Sequence, residues 1–425
     1  MKLYLYPIIA LGLIASSCNN DAVEEPQPSV IAKNTITYSP SAVNRTLDEA
    51  ISIANEAKGM LNNSKSSRAG INREIDLTDG IKYVVSNVSR SNPDTLLYIL
   101  NYKDNAGFAV ISTRRSTEAL LAVTESGTYT SPEDCDNPGF NMFMDMATAY
   151  VANAPVEPVK PPTTPGVDGP FEIQEVKREE ITLVNDTLPH RVEVEWVQSG
   201  IFGAYCKNGI AGCNNVAAGM AMSYFEYPSS ISLTYMDTPQ NMTLDWKNIK
   251  RHKKGIYDFC CQPNSPHTTI GKLLRELGHR SGSNYNSAEA TSTLPSKTRS
   301  ALKKLGFKVG DIKKYYSKCI WANIGDGVII ISGYQNSDGD GGHTWLVDGY
   351  AYLKKQVIEY VRPISSPEWI ETENVITEYM YNWFNWGMNN YDNTLNGYYS
   401  DGVFITRSPE HYNLGYNVKF FTVNI

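Results

Sequence analysis

The stretch from Ala154 to Gly169 constrains the fold of this chain more than any other. After the alanine it reads Pro-Val-Glu-Pro-Val-Lys-Pro-Pro-Thr-Thr-Pro-Gly-Val-Asp-Gly. Proline fixes φ and lacks an N–H, so a segment this rich in it prefers extended conformations outside a packed core. The 425 residues therefore divide at a linker, 153–172, into two parts that each need a core of their own. An exposed linker between folded parts is also where proteolytic nicking concentrates.

The N-terminal end reads as a targeting device. Lys2 supplies a positive charge, Leu3 to Ile14 form a short apolar run, and Ala15, Ser16 and Ser17 lead to Cys18. The run is too short for an ordinary spanning helix, and residues 1–17 read as a signal peptide. A cysteine directly after small residues resembles a bacterial lipobox, so Cys18 is the expected lipidation site and 18–33 a polar surface tether. The competing reading is a plain secretory signal cleaved near Ser17. The expected location is the outer membrane or cell surface, with release after processing as a variant of it. The only membrane association expected is through that lipid.

Residues 34–152 carry the pattern of a small α+β domain. Thr46-Leu47-Asp48-Glu49-Ala50 opens a helical run with apolar Ala50, Ile53, Ala54 and Ala57. Strand-like runs follow at Lys82–Val85, Thr95–Tyr102, Gly107–Ser112 and Ala119–Thr124, and Phe140–Ala152 reads as a closing helix. Residues 173–425 form the larger domain, with helices expected at Val216–Phe225, Thr269–Leu277 and Leu294–Leu305. Strands are expected at Gly327–Ser332, Thr344–Ala351, Lys354–Val361 and Val403–Thr406. The formal net charge of −7 speaks against a nucleic-acid groove. Apart from Cys18 and Cys213 the cysteines number five, none at zinc-ligand spacing, so neither a disulfide framework nor a structural metal is expected.

Cys213 stands between a glycine turn and the first turn of a small-residue helix, in Gly212-Cys213-Asn214-Asn215-Val216. A helix N-terminus favours thiolate over thiol, and the thiolate is the nucleophile. A buried packing cysteine is the bland alternative. A base is needed, and His343, in Gly341-Gly342-His343-Thr344-Trp345, leads from a glycine turn into an apolar strand. His190 and His252 read as solvated, and His279 as a helix-end residue. Asn385, in Asn382-Trp383-Phe384-Asn385-Trp386-Gly387, offers an amide to orient the imidazole, with Trp386 excluding water from that bond. Gln198, in Trp196-Val197-Gln198, is the candidate side-chain donor of an oxyanion hole alongside the Cys213 N–H.

These segments together resemble the streptopain family of papain-like cysteine peptidases. The resemblance rests on Trp196-Val197-Gln198, Gly212-Cys213, Tyr224-Phe225-Glu226-Tyr227-Pro228 and Ile270 to Gly278. It rests also on Gly342 to Tyr350, and on Asn385-Trp386-Gly387 before Gly397-Tyr398-Tyr399. The separation of 130 residues between Cys213 and His343 suits a papain-type pair, for which about 130–150 is usual. Gly107 to Thr113 and Leu120 to Val123 are similar to the strand pair of the family's inhibitory propeptide. The sequence departs from the family at Asn214-Asn215, where small apolar residues are usual, and at Met388-Asn389-Asn390, where Trp-Gly-Gly is usual.

The resemblance implies an α+β fold, with a helical half carrying Cys213 and a twisted antiparallel sheet carrying His343, behind an α+β prodomain. It implies a zymogen of an endopeptidase whose own propeptide (34–152) inhibits the catalytic part (173–425) until 153–172 is cut, or the chain just after it at Lys177-Arg178. Proteins or peptides would be the substrates, with no cofactor beyond conditions that keep the thiol reduced. Two alternatives remain open on the residues alone: a Cys/His amidase of peptidoglycan, and a surface binding protein that has lost turnover.

Overall fold

The computed structural model describes residues 32–39, 41–62, 71–85, 94–155, 172–251, 265–334, 342–388, 394–405 and 417–425. The signal segment, Cys18, the tether up to residue 31 and the linker from 156 to 171 lie outside the described residues. So do His252, Cys260, Cys261, Asn389, Asn390 and His411.

The N-terminal part begins with β1 (Ala32–Tyr38) and α1 (Leu47–Asn62). An antiparallel meander follows, β2 (Ile81–Val85), β3 (Thr95–Asn101), β4 (Phe108–Ser112) and β5 (Leu120–Thr124), closed by α2 (Pro138–Ala152). β4 and β5 are buried at every residue, and β3 nearly so, because a helix covers each face of the meander. Leu100, Ala109, Ile111 and Val123 face Ala50, Ala54 and Ala57 of α1, while Ile99, Phe108, Val110 and Ala122 face Phe140, Phe143 and Ala147 of α2. Two-sided burial is why these strands read as continuous apolar runs rather than alternating ones. α2 starts at Asn137, whose side chain accepts the Phe140 N–H at 3.0 Å, with Pro138 in the first turn.

Beyond the linker come β6 (Ile173–Leu188), α3 (Cys213–Phe225), the hairpin β7 (Ser230–Leu233) and β8 (Gln240–Thr243), and α4 (Trp246–Ile249). Next are α5 (Pro266–Arg280), α6 (Pro295–Lys304), the short strands β9 (Lys308–Val309) and β10 (Lys313–Lys314), and α7 (Cys319–Asn323). The chain ends in β11 (Val328–Gly333), β12 (His343–Pro363), β13 (Ile370–Asn385), β14 (Gly397–Ser400) and β15 (Lys419–Asn424). α5 turns Ile270, Leu273, Leu274 and Leu277 inward, as its spacing predicts, against the almost wholly buried α3.

One sheet unites both parts. Its main path runs β10-β15-β11-β12-β13-β14-β5-β4-β3-β2, so the meander continues the C-terminal sheet edge to edge through β14 and β5. The aromatic core crosses the same seam. Phe143 of α2 meets Tyr399 edge-on at 4.8 Å and lies 6.0 Å from Phe404, in one cluster with Trp345, Phe384 and Trp386. Each such aromatic pair adds about 0.5–1.5 kcal/mol beyond the apolar area it buries.

The expected strands at Thr344–Ala351 and Lys354–Val361 are one strand, β12, paired with β13 along its length. Their outer halves, with β6 and β1, form an arm beyond the core. Polar residues dominate the arm, and cross-strand charges hold it: Lys355–Glu180 at 2.9 Å, Arg178–Glu359 at 3.4 Å, and Lys177 4.1 Å above the Tyr360 ring. That composition hid β6 and β13 from hydrophobic periodicity. Three other expectations change. Ala32 and Lys33 belong to β1 rather than to a tether, and Lys177-Arg178 lies within the paired β6 rather than in accessible chain. Val403 and Phe404 sit in a short 3-10 turn, with Tyr315 and Phe404 packed together at 5.7 Å, instead of opening a strand.

The seam between β14 and β5 leaves no room for a side chain at Gly397, where an added Cβ would meet the Val123 carbonyl oxygen at 2.2 Å. Gly397→Ala is expected to lower the stability of the full chain by about 1–3 kcal/mol, through forced separation of the two strands. A urea titration checks this: the midpoint falls at unchanged slope. An unchanged midpoint would mean that the strands do not abut this closely.

Candidate active site

The turn into α3 is set by Gly212, whose φ of +92° is a conformation that side chains other than glycine rarely adopt. Cys213 follows as the first helical residue and is partly exposed. Close packing around its sulfur pushes the thiol pKa up, and the Thr344 N–H, the Asn214 N–H and the Thr344 hydroxyl oppose that shift without overcoming it. The helix start alone predicts a depressed value; desolvation outweighs it here.

The asparagines after Cys213 explain their own departure from an apolar pattern. Asn214 is buried and donates to the Tyr334 hydroxyl at 2.7 Å and the Thr293 carbonyl at 2.9 Å, while its oxygen accepts from Thr298 at 3.2 Å. Tyr334 is within 2.9 Å of the Thr344 hydroxyl, so a hydrogen-bonded path joins the first turn of α3 to the first residues of β12. Asn215 donates to Ala211 O at 2.8 Å and to Ser283 Oγ at 2.9 Å, fixing the turn from below.

β12 begins with His343, opposite Gly333 of β11. Successive residues of a strand point to opposite faces. Trp345 and Val347 lie in the core shared with α2, and Leu346 lies in the core shared with α3. His343 therefore faces α2 and Thr344 faces Cys213. The imidazole is buried; its Nε2 donates to the Trp386 carbonyl at 2.6 Å, and burial lowers its pKa to about 4. Gly139, one residue into α2, presses on the ring: a Cβ there would meet His343 Cδ2 and Trp386 Cε3 at 2.5 Å. Among the described residues no hydrogen bond links His343 to Cys213.

Asn385 lies on the opposite face from Trp386, the face of α3. Its amide donates to Val194 O at 3.0 Å and its oxygen accepts the Gly387 N–H at 3.3 Å, and among the described residues no hydrogen bond joins it to His343. Trp386 is held from three sides, by Asn396 Oδ1 on its backbone N–H at 3.0 Å and by Leu395 O and Tyr399 Oη on its indole N–H. The Gln198 backbone is beside the nucleophile turn, since its carbonyl accepts the Ala211 N–H at 2.7 Å, but its side-chain amide is turned to the Met388 sulfur. The structure thus gathers Cys213, Gln198 and Asn385 around the start of α3 and sets His343 and Trp386 on the far side of β12.

Two residues escaped the reading of the sequence. Asp348 lies in the Gly342 to Tyr350 segment, and its carboxylate accepts the Arg191 N–H at 2.7 Å and that of Val192, anchoring the approach to Trp196 and Gln198. Its place within that segment was the available signal. Gly139 carried none, because a glycine in the first turn of a helix says nothing about a ring lying against it.

The architecture, a helical layer carrying a cysteine at a helix start beside an antiparallel sheet, is that of a papain-like cysteine-type endopeptidase joined to its propeptide. Residues 196–399 match the peptidase C10 family and are a cysteine peptidase domain of the streptopain type, and residues 40–151 match the Spi protease inhibitor family and are a propeptide domain of that inhibitor type. A solved fragment of Prevotella intermedia prointerpain A, an alanine-for-cysteine mutant, is similar at 16% identity and TM-score 0.49, covering 83% of this chain and 98% of that one. Active Prevotella intermedia interpain A is similar at 17% identity and TM-score 0.35, covering 56% of this chain and 94% of that one. Among curated proteins there is no match.

The buried imidazole makes stability depend on pH. Because its folded pKa of about 4 lies below the ordinary 6.5, the unfolded chain binds the extra proton between these values. Its contribution is complete above pH 6.5 and is lost as the pH falls toward 4, by up to about 3 kcal/mol. His343→Gln, which keeps a donor for the Trp386 carbonyl, should lose less stability than the parent between pH 7 and pH 4.5 in urea titrations. Equal losses would show that the imidazole is not buried as described.

Proposed function

We propose that this chain is the latent precursor of an exported, lipid-anchored cysteine endopeptidase that works through Cys213 and His343. The observation that carries the reading is the placement of the two on opposite faces of β12, with the propeptide helix α2 against the imidazole. A thiol whose pKa is raised, and a histidine bonded to a carbonyl instead of to that thiol, make no nucleophile. Latency is then positional: the chemistry is present and its parts are held apart.

Activation follows from the same geometry. His343 is the first residue of its strand and follows Gly341-Gly342, so its backbone can turn without disturbing the ladder beyond Thr344. Departure of α2 removes Gly139 from the ring and frees His343 to exchange the Trp386 carbonyl for the Cys213 thiol. In the assembled site His343 takes the thiol proton and the thiolate attacks a peptide carbonyl. The Cys213 N–H and Gln198 amide stabilise the oxyanion, and His343 protonates the leaving amine. Water then releases the acyl-enzyme, and Asn385, already on the face of α3, orients the imidazole. The linker at 153–172 is the proposed site of the activating cut, and Cys18 the proposed lipid attachment that holds the precursor at the cell surface.

Two experiments test this reading. The processed protein should react with a thiol alkylator and hydrolyse casein, and Cys213→Ala should abolish both; a parent that does neither ends the peptidase reading. In the uncut chain, Gly139→Val should drive α2 off the imidazole and raise alkylation of Cys213 at least tenfold. An unchanged rate would mean that α2 does not hold the site apart.

A further inference from the structure

The match to the inhibitor family begins at residue 40 and the match to the peptidase family begins at residue 196, so β1 and β6 belong to neither. They nevertheless pair with each other along all seven residues of β1, from Ala32 opposite Thr182 to Tyr38 opposite Val176. The other edge of β6 pairs with β12 from Tyr350 to Pro363. β6 is thus part of the C-terminal sheet, and β1 is attached to the propeptide through the short turn into α1.

Side chains reinforce the pairing. Lys33 meets Glu179 at 2.8 Å, and the Tyr38 hydroxyl donates to Glu359 of β12 at 2.8 Å. Tyr38 packs with Val176 and Val361 in a small core of its own, under the Arg115 guanidinium at 3.7 Å. α1 itself stands off from the arm across a cleft of about 750 Å³, lined by Arg45, Glu56, Arg178, Glu180 and Lys355. Across this cleft, β1 is a strap that joins the propeptide to the arm.

We propose that the free edge of β6 is a docking site for the chain's own N-terminal segment, and that it keeps the propeptide attached after the linker is cut. The proposal rests on the precursor reading above for its biological sense, but the pairing itself does not depend on catalysis. A cut between residues 156 and 171 leaves β1 on one fragment and β6 on the other, with every one of these contacts intact. Full release then requires a second event, either unzipping of β1 or a further cut between β1 and α1. Because Cys18 lies upstream of β1, a lipid there would still hold the cut enzyme at the membrane through this strand if a further cut between β1 and α1 released the rest of the propeptide.

The test uses the full chain carrying Cys213→Ala, with the recognition sequence of a site-specific protease replacing residues 158–165. After cutting, the two fragments should co-elute at micromolar concentration. Neighbouring strand residues direct their N–H groups to opposite sides, so Asn34→Pro with Thr35→Pro must remove one ladder donor. That pair should speed dissociation at least tenfold, whereas Asn34→Ser with Thr35→Val should leave it unchanged. Separation of the parent fragments on cutting, or equal dissociation rates for the parent and the proline variant, would overturn the proposal. Should the proline variant fail to fold, a labelled peptide of residues 30–40 serves instead. It should bind saturably to cut protein lacking residues 32–38, and absence of binding would equally overturn the proposal. Neither readout uses peptidase activity, so failure of the strap and failure of the peptidase reading are separate results.

Discussion

Everything in this structure turns on the two-sidedness of β12. One face of its first residues packs on α3 and the other on α2, so a single strand is wall to two cores. The alternation of side chains along it is fixed by the ladder with β11, in which Trp345 opposes Ile331 and Leu346 opposes Ile330. Moving the whole strand to bring His343 round would carry Trp345, Val347 and Leu346 into the wrong cores at once. The only residue that can change sides cheaply is the one at the strand's end, and that residue is His343. On the precursor reading proposed above, latency is therefore local in extent although the parts that would enforce it are far apart in sequence.

The propeptide reaches this point by becoming part of the sheet and core it inhibits. β5 extends the sheet at β14, and Phe140, Met142 and Phe143 enter the aromatic cluster around Trp345 and Trp386. Gly139 then arrives at the imidazole because the residues following it are already seated. The absence of a side chain at that position is what allows the ring to be covered closely.

Much of this was legible in the sequence. The apolar runs of β3, β4 and β5, the spacing of Ile270, Leu273, Leu274 and Leu277, and the glycine before Cys213 each announce their structure, because each buries a repeating set of side chains or needs a particular φ. The residue types of the candidate site were legible for the same reason: a thiol, an imidazole and two amides stand in segments with few other uses. What could not be read was sidedness. Whether His343 or Thr344 faces Cys213 depends on where the ladder with β11 begins, and the Gly341-Gly342 turn leaves that parity open. The arm was hidden differently. β6 reads Ile-Gln-Glu-Val-Lys-Arg-Glu-Glu from residue 173, and its strand character comes from cross-strand charges, Arg178 with Glu359 and Glu180 with Lys355, that no periodicity in one segment displays.

The junction of β14 with β5 has a consequence for the protein once its propeptide has gone. An unpaired strand edge invites pairing with other chains, and long flat edges are aggregation hazards. β14 is only four residues long, three of them paired with β5, and a tight 3-10 turn follows it directly. The strand edge left by departure is correspondingly short. An inhibitor can be spliced into the sheet of its own enzyme without leaving a long edge for other chains to pair with, provided that the seam is kept this short.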